Sequence, residues 1–180
     1  MISTHTNVVL VGFMGTGKSS VGKLVAHRLG FQLVDNDSII AERAGMEITE
    51  IFAKHGESTF RDYETRALES LQHLNRCVVS TGGGAVLREG NRAILRKIGF
   101  VVLLTASEEI IYDRVARNTK RPLLSTGDPR TTISQMLAER SEAYAAAAQA
   151  TVDTSILTRE QAAEAVVAEA RKAFGWSHHQ

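Results

Sequence analysis

Residues Gly12-Phe13-Met14-Gly15-Thr16-Gly17-Lys18-Ser19 fill every fixed position of the pattern G-x-x-x-x-G-K-[ST]. Glycines at that spacing let the backbone curl so that successive N–H groups face inward as an anion nest. A helix that starts at the end of such a loop adds the positive end of its dipole. Lys18 can then reach the β- and γ-phosphates of a nucleoside triphosphate, and the Ser19 hydroxyl can ligate Mg²⁺. A chance glycine-rich turn is the competing reading, and the apolar run Val8–Val11 just before the loop disfavours it, because a strand leading into the motif is the context the chemistry needs.

Other candidates lie further along the chain. Asp35 and Asp37 bracket Asn36, and two carboxylates in one turn can face different partners. One can hold Mg²⁺ through water while the other takes a proton from a substrate hydroxyl. The alternative is that they simply cap the next helix. Arg61 and Glu64 are three apart in a helical stretch and so share a face, either as a surface ion pair or as a fork that grips a substrate carboxylate. Thr81 is followed by Gly82-Gly83-Gly84, which fits either a flexible turn or a close approach of backbone to ligand. The run Cys77–Ser80 before it carries no Asp at its end, where a usual Walker B strand has one. The metal carboxylate must come from elsewhere, and Asp35 is the best placed. Arg114, Arg117, Lys120 and Arg121 lead into a loop, where a cation closing over the γ-phosphate would stabilise transition-state charge. Arg121, before Pro122, stands at the loop's start. Arg140 and Tyr144 are four apart on the next helix, facing either a pocket or solvent.

These residues need elements to hold them. Val8–Val11, 31–34, Cys77–Ser80, 100–104 and 151–153 read as short buried strands. Between them the spacing predicts helices over 19–29, over most of 38–75 with breaks at Gly45 and Gly56, and over 91–98, a helix capped by Ser107, then 132–148 and 160–174. Residues 118–130 hold both prolines, Pro122 and Pro129, and read as a long loop. The tail 175–180 reads as frayed; His178 and His179 fit a loose end better than a metal site. Strands alternating with helices predict an α/β fold with a parallel sheet covered on both faces. In such sheets ligands bind at the carboxyl ends of the strands, where each polar cluster above falls.

Bulk properties narrow the function. At 180 residues the chain suits one domain, spanning 1–180. A net charge of +1 supplies no field that would favour nucleic acid or an anionic membrane. Cys77 is the only cysteine, which excludes an internal disulfide and reads as a small buried residue. Neither a secretory leader nor an apolar run long enough to span a bilayer is visible, so a cytoplasmic protein is expected, and nothing in the sequence demands a partner subunit; a monomer is expected.

Taken together, Gly12–Ser19, Asp35-Asn36-Asp37, Phe60-Arg61 with Glu64, Gly82-Gly83-Gly84, Arg121-Pro122-Leu123-Leu124 and Arg140 with Tyr144 resemble the shikimate kinase family over nearly the whole chain. The resemblance implies a three-layer α/β/α, nucleoside-monophosphate-kinase-like fold with a five-stranded parallel sheet in the order 2-3-1-4-5, a substrate-binding subregion over about 36–64 and a lid over about 115–130. It implies transfer of phosphate from ATP, with Mg²⁺, to the 3-hydroxyl of shikimate on the route to chorismate. Lys18, Asp37 and Arg121 would be catalytic; Gly15, Thr16, Gly17, Lys18, Ser19, Ser20, Arg114 and Arg121 would bind ATP; Asp37, Arg61, Gly82, Gly83, Gly84 and Arg140 would bind shikimate; Ser19 and Asp35 would serve the metal. Arg114 falls where the family often stacks an arginine on adenine. The chain departs from some members after its last strand, where Thr154-Ser155-Ile156-Leu157-Thr158 offers neither the basic residue nor the proline they place near adenine. A related kinase for gluconate or a nucleotide, and a nucleotide-binding module without catalysis, are the alternatives. Paired arginines disfavour the first and the retained Lys18, Asp37 and Arg121 disfavour the second.

Overall fold

The computed structural model describes residues 6–116 and 128–176. The order of elements is β1 (Val8–Val11), α1 (Lys18–Leu29), β2 (Gln32–Asp35), α2 (Asn36–Ala44), α3 (Ile48–Ser70), β3 (Cys77–Ser80), α4 (Glu89–Ile98), β4 (Phe100–Thr105), α5 (Glu108–Ala116), α6 (Pro129–Ala147), β5 (Ala150–Asp153) and α7 (Arg159–Phe174). The five strands form one parallel sheet in the order β2-β3-β1-β4-β5, as the sequence implies.

Alternation along the strands builds the layers, because successive side chains on a strand point to opposite faces. Val9 and Val11 join Val79, Val101 and Leu103 on one face, where Leu68 of α3, Leu95 and Ile98 of α4, Ile111 of α5 and Ile133 of α6 cover them. Val8 and Leu10 join Val78, Val102 and Leu104 on the other, under Val21 and Val25 of α1 and Ala163 and Val166 of α7. β1 is thus buried along its whole length. A third, smaller cluster of Ile40, Ile51, Phe60 and Ala67 gives α2 and α3 a core of their own. All strands run the same way, so the phosphate loop, Asp35, Thr81, Thr105 and Thr154 emerge at one edge of the sheet.

Helix breaks fall where the sequence places them: Gly45 caps α2, and α3 bends at Gly56. Ser107 Oγ accepts from the Ile110 N–H at 3.4 Å, as expected of a cap. Several boundaries differ; α3 ends at Ser70 rather than near 75, and α4 begins at Glu89 rather than 91. Phe31 is not part of β2; its N–H bonds back to the Ala26 carbonyl at 2.9 Å, closing the end of α1, and the strand instead runs on to Asp35, which pairs with Ser80. Pro129, read as part of the 118–130 loop, opens α6 instead, because the Asp128 side chain caps the helix and proline is favoured at its first position. Likewise residues 115 and 116 of the segment read as a lid end α5. Residues 117–127 of that segment, with Arg117, Lys120 and Arg121-Pro122-Leu123-Leu124, lie outside the described residues. The tail is also better anchored than expected: the Trp176 N–H bonds to the Arg171 carbonyl at 2.9 Å, and its ring packs on Phe174 and Phe31. His178 and His179 lie outside the described residues.

Candidate active site

The loop from Gly12 to Gly17 joins the central strand to α1. At Gly12 φ is 146°, and a Cβ there would stand 2.3 Å from the Leu104 carbonyl oxygen, so only glycine lets β1 leave the sheet at this point. Gly17 heads α1 with no side-chain cap, which leaves the first amides of the helix for an anion. Lys18 is buried and lays its ammonium across the loop, donating to the carbonyls of Gly12 at 2.7 Å and Phe13 at 2.8 Å. Thr16 Oγ1 donates to the Phe13 carbonyl at 2.8 Å and bolts the turn from within. Ser19 is exposed, whereas Ser20 turns its hydroxyl back to the Gly17 carbonyl at 3.1 Å and so faces the loop, not the solvent mouth. Arg114 reaches across from α5: Nη1 donates to the Gly15 carbonyl and to Thr154 Oγ1, both at 3.1 Å, and Nη2 donates to the Thr154 carbonyl at 2.9 Å.

Asp35 ends β2, which is separated from β1 by β3. The structure shows the capping reading of this residue. Its Oδ1 caps α2, accepting from the N–H groups of Asp37 at 2.9 Å and Ser38 at 3.2 Å. That leaves Oδ2 for other work. Asp37, two residues further into the helix, points at the triple glycine: a Cβ on Gly82 would lie 2.7 Å from Asp37 Oδ1 and 3.3 Å from Glu64 Oε1. Gly84 is open for a similar reason, since a Cβ there would collide with Arg61 Nη1 at 2.2 Å and Nη2 at 2.4 Å. The glycines are therefore the space that Asp37, Glu64 and Arg61 occupy. Tyr144 donates its hydroxyl to the Gly83 carbonyl and pins the middle of the segment from α6.

Arg61 is only 8% exposed and is held by two carboxylates. Nη1 donates to Glu64 Oε2 at 2.9 Å, while Nη2 and Nε donate to Glu57 Oε1 at 2.8 and 3.3 Å. Those bonds use three of its five N–H donors and leave two, enough for one bidentate carboxylate. Burial by itself lowers the Arg61 pKa, but the Glu64 charge and the two carboxylate bonds more than reverse this, so it stays charged. Glu64 is fully buried and its carboxyl is pushed up to about 7, first by burial; the charge and hydrogen bond of Arg61 oppose the rise, and Asp37 adds to it. Tyr144 is pushed up to about 12 by burial, against the pull of Arg140. Arg140 lies half-buried over the Phe13 ring, 5.9 Å from its centroid. The Arg61–Glu64 pair is thus buried rather than a surface ion pair, and Arg140 is half-buried rather than fully solvated.

Sequence reasoning missed Glu57 as the second support of Arg61, and Thr154 as the partner of Arg114. Glu57 sits four residues before Arg61, a helical spacing that could have revealed it. Thr154 carries no local signal, because its partners lie on β4, α5 and the phosphate loop. The Arg114 guanidinium is occupied within its plane, which leaves its faces compatible with stacking on a base.

A parallel sheet of this order, with an uncapped loop–helix anion cradle at its central strand and Asp37, Glu64 and Arg61 gathered at the glycines after the neighbouring strand, defines a P-loop phosphotransferase of the nucleoside-monophosphate-kinase type. The family model described as shikimate kinase matches residues 14–171, and the chain belongs to that family. It is 51% identical over 167 residues to the shikimate kinase of Geobacter metallireducens, covering 93% of this chain and 90% of the relative. To that of Thermodesulfovibrio yellowstonii it is 47% identical over 163 residues, covering 91% and 94%. Among solved structures it resembles the Acinetobacter baumannii shikimate kinase in complex with shikimate, with a TM-score of 0.88, 33% identity and coverage of 97% of this chain and 96% of the other.

Proposed function

We propose that this chain transfers the γ-phosphoryl group of ATP to the 3-hydroxyl of shikimate, giving shikimate 3-phosphate and ADP on the route to chorismate. The observation that carries the reading is the fit of Asp37, Glu64 and Arg61 into the gaps left by Gly82 and Gly84, beside the loop that Lys18 spans. The free donors of Arg61, together with Arg140, take the substrate carboxylate. The ring hydroxyl then falls to Asp37, whose carboxylate accepts the proton as the oxygen attacks the γ-phosphorus; the bond from that phosphorus to the bridging oxygen breaks, and ADP leaves with the electron pair. Gly83 offers substrate its backbone. Lys18 follows the charge on the transferring group; Arg121, assigned to the same task, lies outside the described residues.

The site also suits Mg²⁺. Among the described residues no group of three or more His, Cys, Asp or Glu side chains could cage a metal. An exposed Ser19 hydroxyl and the second oxygen of Asp35 instead match an ion that is held mainly by phosphates and water. When bound, Mg²⁺ would neutralise charge on the β- and γ-phosphate oxygens. The ATP contacts assigned are the backbone of Gly15, Thr16, Gly17 and Ser20, with Lys18, Ser19, Arg114 and Arg121. The proposal includes a cytoplasmic monomer that keeps its single buried thiol, Cys77, free. Among the described residues no helix is long and apolar enough to cross a membrane.

A coupled ADP-release assay with shikimate, gluconate and AMP as acceptors tests the reading. Turnover on shikimate above the other two is expected. No turnover on shikimate would overturn it, turnover on gluconate or AMP alone would identify a different kinase, and ADP binding without any turnover would point to a non-catalytic module.

A further inference from the structure

Thr154 is 3% exposed and stands just beyond β5, where the sheet edge meets the phosphate loop. Its N–H continues the ladder to the Thr105 carbonyl at 2.8 Å. Its hydroxyl has two carbonyls to donate to, Thr105 at 2.9 Å and Thr16 at 3.1 Å, and accepts from Arg114 Nη1 at 3.1 Å. Arg114 Nη1 also holds the Gly15 carbonyl at 3.1 Å, and Nη2 holds the Thr154 carbonyl at 2.9 Å. Two successive carbonyls of the phosphate loop, Gly15 and Thr16, are thus drawn outward onto one threonine–arginine pair.

In a trans peptide unit the C=O and the following N–H point in opposite directions. A carbonyl pulled outward therefore aims the next amide inward. The Thr16 N–H faces the Phe13 carbonyl at a stretched 3.4 Å, a weak bond that a phosphate oxygen can replace. The Gly17 N–H is aimed to the same side. Helix α1 begins immediately after, so these amides extend its N-terminal nest.

We propose that Thr154, acting with Arg114, is a positioning residue that sets the orientation of the Thr16 and Gly17 amides toward the nucleotide phosphates. The inference rests on the assignment of residues 12–19 as the phosphate site. It gives Arg114 a role that does not depend on stacking, and it gives a function to a stretch in which the sequence offered no adenine contact.

The test uses the full chain with Thr154→Val, which keeps shape and loses the hydroxyl, and Thr154→Ser, which keeps the hydroxyl. Thr154→Val is expected to raise KM for ATP and lower kcat, each by about ten-fold, because a misaimed amide loses part of its bond to the bound phosphates and still more of it in the transition state, as charge shifts on the transferring group. KM for shikimate should stay within about two-fold, and Thr154→Ser should recover both ATP parameters. A merely structural role would move shikimate and ATP together. That result, or a KM change at constant kcat, or no recovery in Thr154→Ser, overturns the inference. Should Thr154→Val fail to fold, Arg114→Lys, which keeps the charge but loses the fork, must give the same split. Lys18→Met run in parallel separates the two levels. If ADP binding survives that change at full strength, the phosphate-site assignment itself fails; if Lys18→Met loses ADP while Thr154→Val matches wild type, only the inference fails.

Discussion

Asp37 and Asp35 stand two positions apart and do different work, because only one of them caps the helix. Asp35 gives Oδ1 to the amides of Asp37 and Ser38, and that cap holds Asp37 toward Gly82. Asp37→Asn should lower kcat on the order of 10³-fold while the ADP dissociation constant, read by calorimetry, stays near wild type. Loss of ADP binding in that variant would contradict the base role. Arg61→Lys keeps a counter-charge for Glu64 but loses the fork, and it should raise KM for shikimate by roughly 10- to 100-fold with little effect on KM for ATP. Glu64 supplies a pH signature. Its folded value of about 7 lies above its ordinary 4.5, so the folded state holds a proton that the unfolded chain releases. That contribution to stability is fully present below pH 4.5 and is lost as pH rises through about 7. The loss amounts to at most about 3 kcal/mol. Urea midpoints of wild type relative to Glu64→Gln should therefore fall across this window, and a flat difference would show that Glu64 is ionised throughout.

At the scale of elements, the triple glycine is a seat for side chains from α2 and α3, and Tyr144 of α6 fixes its middle carbonyl. The cost of a methyl group there can be read from the distances. Gly84→Ala places a Cβ inside the Arg61 guanidinium, so Arg61 must move off its carboxylate supports. KM for shikimate should rise by at least about ten-fold, while nucleotide binding, one loop away, persists. Unchanged shikimate kinetics in Gly84→Ala would mean that Arg61 is not held where substrate binds. The small cluster of Ile40, Ile51, Phe60 and Ala67 lets α2 and α3 present Asp37 and Arg61 as one packed unit.

At the scale of the whole molecule, the strand order puts β3 between β1 and β2, so the phosphate loop and Asp35 stand two strands apart, roughly 10 Å at ordinary strand spacing. The triple glycine, which follows β3, lies between them. The candidate site is thus a row along the sheet edge: the proposed acceptor residues, the glycine seat, the phosphate loop, and the Arg114–Thr154 brace at β4 and β5. Among the described residues Ile156 is the one large hydrophobic side chain that is well exposed, at 92%. Light scattering should give the 19.6 kDa mass of a single chain. A doubled mass would contradict the monomer.

The sequence by itself determined the nucleotide loop, because its chemistry is carried by contiguous residues whose backbone geometry glycine dictates. It likewise determined the alternation of strands and helices, because hydrophobic periodicity is local. The breaks at Gly45 and Gly56 were legible for the same reason, whereas Pro129 was misread as loop because a proline that starts a helix looks like one that ends it until its cap is seen. Only the tertiary structure decided that Asp35 Oδ1 caps α2, that the Arg61–Glu64 pair is buried rather than at the surface, and that Arg140 lies half-buried over Phe13. Those choices depend on what stands opposite, and the opposing residues arrive from Gly82–Gly84 and from α6, far along the chain. Thr154 is the limiting case: an ordinary threonine in sequence, it acquires a role only because the parallel sheet brings the ends of β1, β4 and β5 to one edge.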